Sequence, residues 1–202
     1  MEVISHLKLN KKQKFGKKIE NAKLLVFDFD GTIVNLNCDW KGLKEELTSL
    51  CLNEYKLKIG FSCLNKGLMQ IMRKLSPQER KRIYRIIERY ELEGVENISP
   101  IQPVIDFIKK NNHKAKAILS SNTRKAIIAG LKSLKLKSCF GLIVGRKEVK
   151  NQKPHPEGFY RIMDYFKLQP YEAVFIGDGD IDFVLGRKVG VPTFDVREIA
   201  ML

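Results

Sequence analysis

Leu24-Leu25-Val26-Phe27-Asp28-Phe29-Asp30-Gly31-Thr32 joins an apolar run to two carboxylates and a turn. The four apolar residues predict a buried strand, and Gly31 marks the point where the chain turns. Asp28 and Asp30 therefore fall at a strand's carboxyl end. Side chains at i and i+2 of an extended chain share a side, so the two carboxylates converge while Phe29 points away. Carboxylates about 4 Å apart repel by roughly 4 kcal/mol at an effective dielectric of about 20. A cation has to hold them there. Mg²⁺, which takes a few carboxylate oxygens, water and a phosphate oxygen, is one remedy, and a lysine is another.

Three further segments extend the pattern. Ala173-Val174-Phe175-Ile176 reads as a second buried strand, with Asp178 just past its end in Gly177-Asp178-Gly179-Asp180-Ile181-Asp182. Ala115 to Leu119 is a third apolar strand, ending at Ser120, whose hydroxyl suits a phosphoryl oxygen; Ser121 is its immediate rival, and Asn122 is a candidate cap for the next helix. Lys153 precedes Pro154-His155-Pro156, a rigid stretch able to fix a cation. In an open α/β sheet ligands bind outside the carboxyl ends of the strands, and each of the four segments falls at a strand end or in a loop. Taken singly, each residue has a plainer reading. Asp178 or Asp182 alone is an ordinary turn or helix-cap residue, Asp180 a helix-start residue, and Lys153 one solvated lysine among many.

Together, in this order, the four segments resemble the haloacid dehalogenase-like superfamily of aspartate-nucleophile phosphatases. The resemblance runs from about Leu24 to the C-terminus. It implies that Asp28 is the nucleophile, forming an aspartyl-phosphate. Asp30 is implied as general acid and then general base. The implied Mg²⁺ site is Asp28, Asp178 and the backbone carbonyl of Asp30, with Asp182 one shell further out. Ser120 and Lys153 would hold the transferring phosphoryl group, and Thr32 would join this substrate-binding set by stabilising the turn and orienting Asp30.

The rest of the chain divides by its punctuation. Residues 1–23 are lysine-rich and read as a basic, mobile or surface-packed arm. From residue 36 to 97 strand signals vanish. Asp39 is a candidate cap for a helix carrying Leu43, Leu47, Leu50 and Leu57, and a second helical run carries Leu64, Leu68, Ile71, Met72 and Leu75. Ser76-Pro77-Gln78-Glu79 is a capping box with proline at the first helical position; the helix it opens buries Ile83, Ile86 or Ile87, and Tyr90. After residue 97 helix and strand alternate to the end. The expected fold is therefore α/β, a Rossmann-like parallel sheet flanked by helices, formed by 24–35 and 98–202 and interrupted by an all-helical insertion. In the resembled superfamily such an insertion is a mobile cap, and the match is to the helical-cap, phosphoglycolate phosphatase-like subgroup. Trp40 at the cap boundary suits packing there better than stacking on a substrate.

Composition is compatible with this. The chain has 202 residues, 44% of them hydrophobic, enough for one α/β domain with an insertion. No apolar run approaches the roughly 18 residues of a membrane span and no signal-peptide pattern is evident, so a cytoplasmic protein is expected. Cys38, Cys51, Cys63 and Cys139 lack metal-ligand or disulfide-framework spacing, and His6, His113 and His155 are scattered. A formal net charge of +14 steers anions toward the protein. Arg80, Lys81, Arg82, Arg85 and Arg89 crowd one helix, either facing the cleft or, more ordinarily, solvent. No aromatic platform accompanies the lysines, which disfavours nucleic-acid binding. The expected activity is Mg²⁺-dependent hydrolysis of a small phosphorylated metabolite. A phosphomutase and a non-catalytic phosphate-binding or interaction protein are the alternatives. Oligomeric state is left open.

Overall fold

The computed structural model describes residues 13–201. Along the chain, a helix at 13–21 (α1) leads into β1 (Leu24–Phe27) and the short β2 (Val34–Asn35). Three helices follow, α2 (Trp40–Asn53), α3 (Leu64–Met72) and α4 (Pro77–Glu96), and the chain returns through β3 (Ser99–Pro100). The remainder alternates: α5 (Gln102–Lys110), β4 (Ala115–Leu119), α6 (Arg124–Ser133), β5 (Leu142–Val144), α7 (Glu157–Phe166), β6 (Ala173–Gly177), α8 (Asp180–Val189) and β7 (Thr193–Asp195).

Five strands pair in the order β5-β4-β1-β6-β7, all parallel, so the sheet is the expected Rossmann-like one. β1 lies at its centre, with Leu24 level with Ala115 on one side and Ala173 on the other. Alternation along the strands feeds two cores. Leu25, Phe27, Ile118, Ile143 and Ile176 face α1, α5 and α6, while Leu24, Val26, Ala117, Leu119 and Phe175 face α7 and α8. Because both faces are covered, β1 and β6 read as unbroken apolar runs.

Residues 13–21, read as part of a basic arm, are helical and pack on the sheet: Phe15, Ile19 and Ala22 are buried in the first core. Their spacing of four and three puts them on one helix face, while Lys14, Lys17 and Lys18 stay exposed. Residues 1–12 of the expected arm lie outside the described residues.

The three helices between β2 and β3 have a core of their own, built from Leu43, Leu47, Leu50, Phe61, Leu68, Ile71, Ile83 and Ile87 among others. β2 and β3 run antiparallel, so the chain leaves and re-enters the sheet domain through adjacent backbones. Asp39 caps α2 by accepting from Gly42 N–H at 2.8 Å, and Ser76 and Glu79 form the expected capping box at α4. α2 is shorter than its apolar spacing suggested. It ends at Asn53, and Lys56, at φ 56°, turns the chain so that Leu57 lies outside the helix. On α4 it is Ile83 and Ile87 that are buried, while Ile86 and Tyr90 are half-buried. The basic residues of α4 take the ordinary role: Arg82 pairs with Glu54 and Arg89 with Glu46 at exposed positions.

Candidate active site

β1 and β6 lie side by side, which brings the acidic segments together at their carboxyl ends. The Asp28 N–H donates to Ile176 O at 2.9 Å, extending the β1–β6 ladder by one step and fixing the Asp28 backbone. Carboxylate oxygens of Asp28, Asp178 and Asp182 all lie within 4.8 Å of one another. Two close approaches make this possible. Gly31 has φ +77°, and a Cβ there would lie 2.3 Å from an Asp178 oxygen; a Cβ at Gly177 would lie 2.2 Å from an Asp182 oxygen.

Lys153 arrives from the segment before α7 and is almost wholly enclosed. Its Nζ lies 2.7 Å from Asp28 Oδ2 and 2.6 Å from Asp182 Oδ1. Burial disfavours its charge, but the attraction of Asp28 and Asp182 outweighs this and holds the ammonium above the usual lysine range. One lysine balances one of three carboxylates. The remaining acidic charge, the oxygen-only donor set and the two glycine-cleared approaches fit a hard divalent cation such as Mg²⁺.

Asp30 stands apart from this cluster. Its Oδ1 accepts from Leu36 N–H at 2.7 Å. Burial, reinforced by the negative field of Asp28, Asp178 and Glu91, pushes its pKa up to about 6, even though the Leu36 bond pulls the other way. Asp178 is also raised, first by desolvation and then by Asp28.

Ser120 ends β4, is buried, and donates from Oγ to Asn122 Oδ1 at 2.8 Å. Ser121 lines the same cleft and accepts from Asn65 Nδ2 at 3.2 Å. Thr32, expected to stabilise the turn after β1, lies in that turn and is bonded toward Asp178. It is buried where Ile33 and Val34 N–H groups fold back onto Phe29 O, and its hydroxyl faces Asp178 Oδ1 at 3.4 Å. Asn122 does not cap α6; Thr123 holds that position, and the capping acceptor comes from another element. Glu91 on α4 accepts from Thr123 N–H at 2.7 Å and Oγ1 at 2.6 Å, and from Asn122 Nδ2 at 3.3 Å.

A cleft of about 500 Å³ lies between the sheet's carboxyl edge and the helical segment. Asp28, Asp30, Ser120, Lys153, Asp178 and Asp182 all face it, and so do Trp40, Lys44, Asn65 and Arg146. The arginines of α4 do not line it. Glu91, Asn65 and Arg146 carried no signal in the sequence: each is isolated from the acidic motifs, and only the contacts of α3 and α4 with α6 and with the residues after β4 and β5 bring them together.

The arrangement can hold a phosphoryl group between a carboxylate oxygen, a lysine and a serine, beside a carboxyl group that exchanges protons near neutrality. Comparison with known proteins agrees. Residues 25–196 match the family model described as haloacid dehalogenase-like hydrolase. Pyrophosphatase PpaX of Bacillus mycoides (strain KBAB4) is 25% identical over 177 residues, covering 85% of this chain and 82% of the relative. A predicted phosphoglycolate phosphatase from Haemophilus somnus 129PT superposes with a TM-score of 0.60 at 20% identity, covering 87% of this chain and 88% of the other. CbbY from Rhodobacter sphaeroides, solved in complex with phosphate, gives 0.64 at 14% identity, over 86% of this chain and 85% of the other. With the family model spanning both acidic strand ends and the lysine between them, the chain belongs to the haloacid dehalogenase-like hydrolases, a family of enzymes.

Proposed function

We propose that this protein is a Mg²⁺-dependent phosphatase that hydrolyses a small phosphorylated metabolite through an aspartyl-phosphate on Asp28. The observation that carries this reading is the convergence of the Asp28, Asp178 and Asp182 carboxylates, two of them paired with Lys153, with Ser120 facing the same cleft. The names of relatives support the substrate class, since pyrophosphatase and phosphoglycolate phosphatase are both phosphate-releasing activities. The three helices between β2 and β3 are assigned as a cap that covers the cleft, and the two-stranded β2–β3 ribbon as its hinge.

Asp28, Asp178 and the Asp30 carbonyl would hold the metal, which supplies charge neutralisation between the carboxylates and the phosphoryl oxygens. An Asp28 oxygen attacks phosphorus as the bond to the leaving oxygen breaks, and Asp30 gives that oxygen its proton. Water then enters the leaving group's place. Asp30 takes its proton, the water oxygen attacks phosphorus, and phosphate leaves with the Asp28 carboxylate restored. A pKa of about 6 lets Asp30 serve in both directions near neutral pH. Lys153 and Ser120 donate to the equatorial oxygens throughout. Trp40 and Lys44 face the leaving portion from the cap.

Phosphate release from a panel of phosphorylated metabolites tests this, comparing wild type with Asp28→Asn. Release by the wild type should fall by at least about 10³-fold in the variant, with the melting curve little changed. Substantial turnover by Asp28→Asn would exclude the covalent route. EDTA should abolish release and Mg²⁺ restore it; full activity without metal would remove the assigned metal site. Isomerisation that depends on a bisphosphate activator, without net release, would instead identify a mutase.

A further inference from the structure

Arg146 is an anomaly in this cleft. It follows β5, is 2% exposed, and among the described residues its side chain makes a single hydrogen bond, from Nη1 to Asn65 Oδ1 at 2.8 Å, while its enclosed Nε finds no partner there. The other two buried cations are provided for: Lys153 by Asp28 and Asp182, Lys116 by the carbonyls of Asn111 and Lys114. Among the described residues no carboxylate lies within 4.0 Å of Arg146. Glu91 acts on it electrostatically, but its oxygens are spent on Thr123 and Asn122. A guanidinium offers five N–H donors, and a buried one with so few of them satisfied and no ion pair in contact is costly.

The place of this residue says what would supply the counter-ion. Arg146 lines the same cleft as Asp28 and Ser120, and its backbone N–H donates to Asn122 O at 2.8 Å, tying it to the loop that carries Ser120. β1, β4 and β5 are successive neighbours, so the backbone after β5 lies about 10 Å, two strand spacings, from that after β1. Side chains anchored that far apart can meet the two ends of one small metabolite. Asn65 comes from α3 and bonds both Arg146 and Ser121, which places donors of the helical segment at the same point.

We propose that Arg146, with Asn65 and Ser121, is a subsite for a second anionic group of the substrate. The substrate is then a phosphate ester or anhydride whose leaving portion carries a carboxylate or a further phosphate-type group. This rests on the phosphatase reading of the site. It assigns to Arg146 recognition of the leaving portion, not of the transferring phosphoryl group.

Calorimetric titration of the full chain, with free Mg²⁺ in excess, tests this using three probes that are not turned over. Phosphonoacetate carries a carboxylate beside the phosphonate, methylenebisphosphonate a second phosphonate, and ethylphosphonate neither. The wild type should bind one of the first two on the order of 10- to 100-fold tighter than ethylphosphonate, as a charged hydrogen-bond pair implies; which one is preferred identifies the group. In Arg146→Gln the ratio should fall toward one, and Arg146→Lys should restore part of it. Equal binding of all three by the wild type overturns the proposal, as does a ratio that survives in Arg146→Gln. Should Arg146→Gln fail to fold, the wild-type ratio and Arg146→Lys still decide. Turnover of phenyl phosphate, which has no second anion, reports separately on the phosphatase reading: turnover without any probe preference overturns only the subsite.

Discussion

At the scale of single residues, the acidic motifs work because certain neighbours are missing side chains. Gly31 combines a left-handed φ of +77° with the contact to Asp178, whereas Gly190 has nearly the same φ, +71°, and open space around it. The pair separates backbone strain from site geometry. Both Gly→Ala changes should cost roughly 1–2 kcal/mol of stability, because an L side chain resists this conformation. Only Gly31→Ala should also displace the Asp178 carboxylate, raising the Mg²⁺ concentration needed for half-maximal phosphate release at least several-fold. Equal metal requirements in the two variants would show that the Asp178 approach is irrelevant to the site. Asp28, Asp30, Asp178, Ser120 and Lys153 were legible in the sequence because each abuts an apolar strand or a proline pair, and strand ends are where a parallel sheet presents its ligands. Arg146 was not legible. Its two chain neighbours, Gly145 and Lys147, are unremarkable, and its meaning arises only when its counter-ions are sought in three dimensions.

Among the elements, α4 does the most to connect the helical segment with the site. Its first turn is self-contained, with a capping box that local sequence dictates, and that box was readable. Its fourth turn is not self-contained. Glu91 is fully buried and reaches the first turn of α6 to cap Thr123, whose own side chain makes no cap bond. Burial raises the Glu91 pKa, and its hydrogen bonds and the charge of Arg146 oppose this. Glu91→Ala would leave the Thr123 N–H and the Asn122 amide without their acceptor. A loss of about 2–4 kcal/mol is expected from such unsatisfied buried groups, read as a lower urea midpoint at unchanged m. Because Asn122 also bonds Ser120, phosphate release should fall beyond what the stability loss explains, at temperatures where the variant remains folded. Glu91→Gln, which keeps an acceptor for Thr123, should lose less on both counts; a Glu91→Ala variant as stable as wild type would show that α6 is capped some other way. The ribbon of β2 and β3 escaped the sequence for a simpler reason. Two residues per strand are too few to show a period of two, and Pro100 argues locally against a strand.

For the whole molecule, the sheet needs cover on both faces, and α1 supplies part of it. Phe15 is 1% exposed and packs against Phe194 at 4.4 Å and Phe107 at 6.5 Å between ring centroids. Lys114 Nζ donates to the Glu20 and Ala22 carbonyls at 2.9 and 2.8 Å, a cation where the helix leaves carbonyls unpaired. Lysine content hid this helix in the sequence, since the apolar stripe of Phe15, Ile19 and Ala22 is only three residues long and the charges around it suggested a solvated arm. The two views differ in what they require. A surface arm would contribute little, so substitutions anywhere in it would stay within about 0.5 kcal/mol, as surface changes usually do. A helix that closes the first core makes Phe15→Ala a large-to-small core change, with an expected loss of about 3–5 kcal/mol. Lys17→Ala, two residues away on the exposed face, should stay within about 0.5 kcal/mol and serves as the control. Denaturant unfolding of the two variants decides, and a near-neutral Phe15→Ala would mean that α1 is dispensable. Since α1 and β1 share the first core and β1 carries Asp28 at its end, the destabilised variant should also lose phosphate release on warming before wild type does.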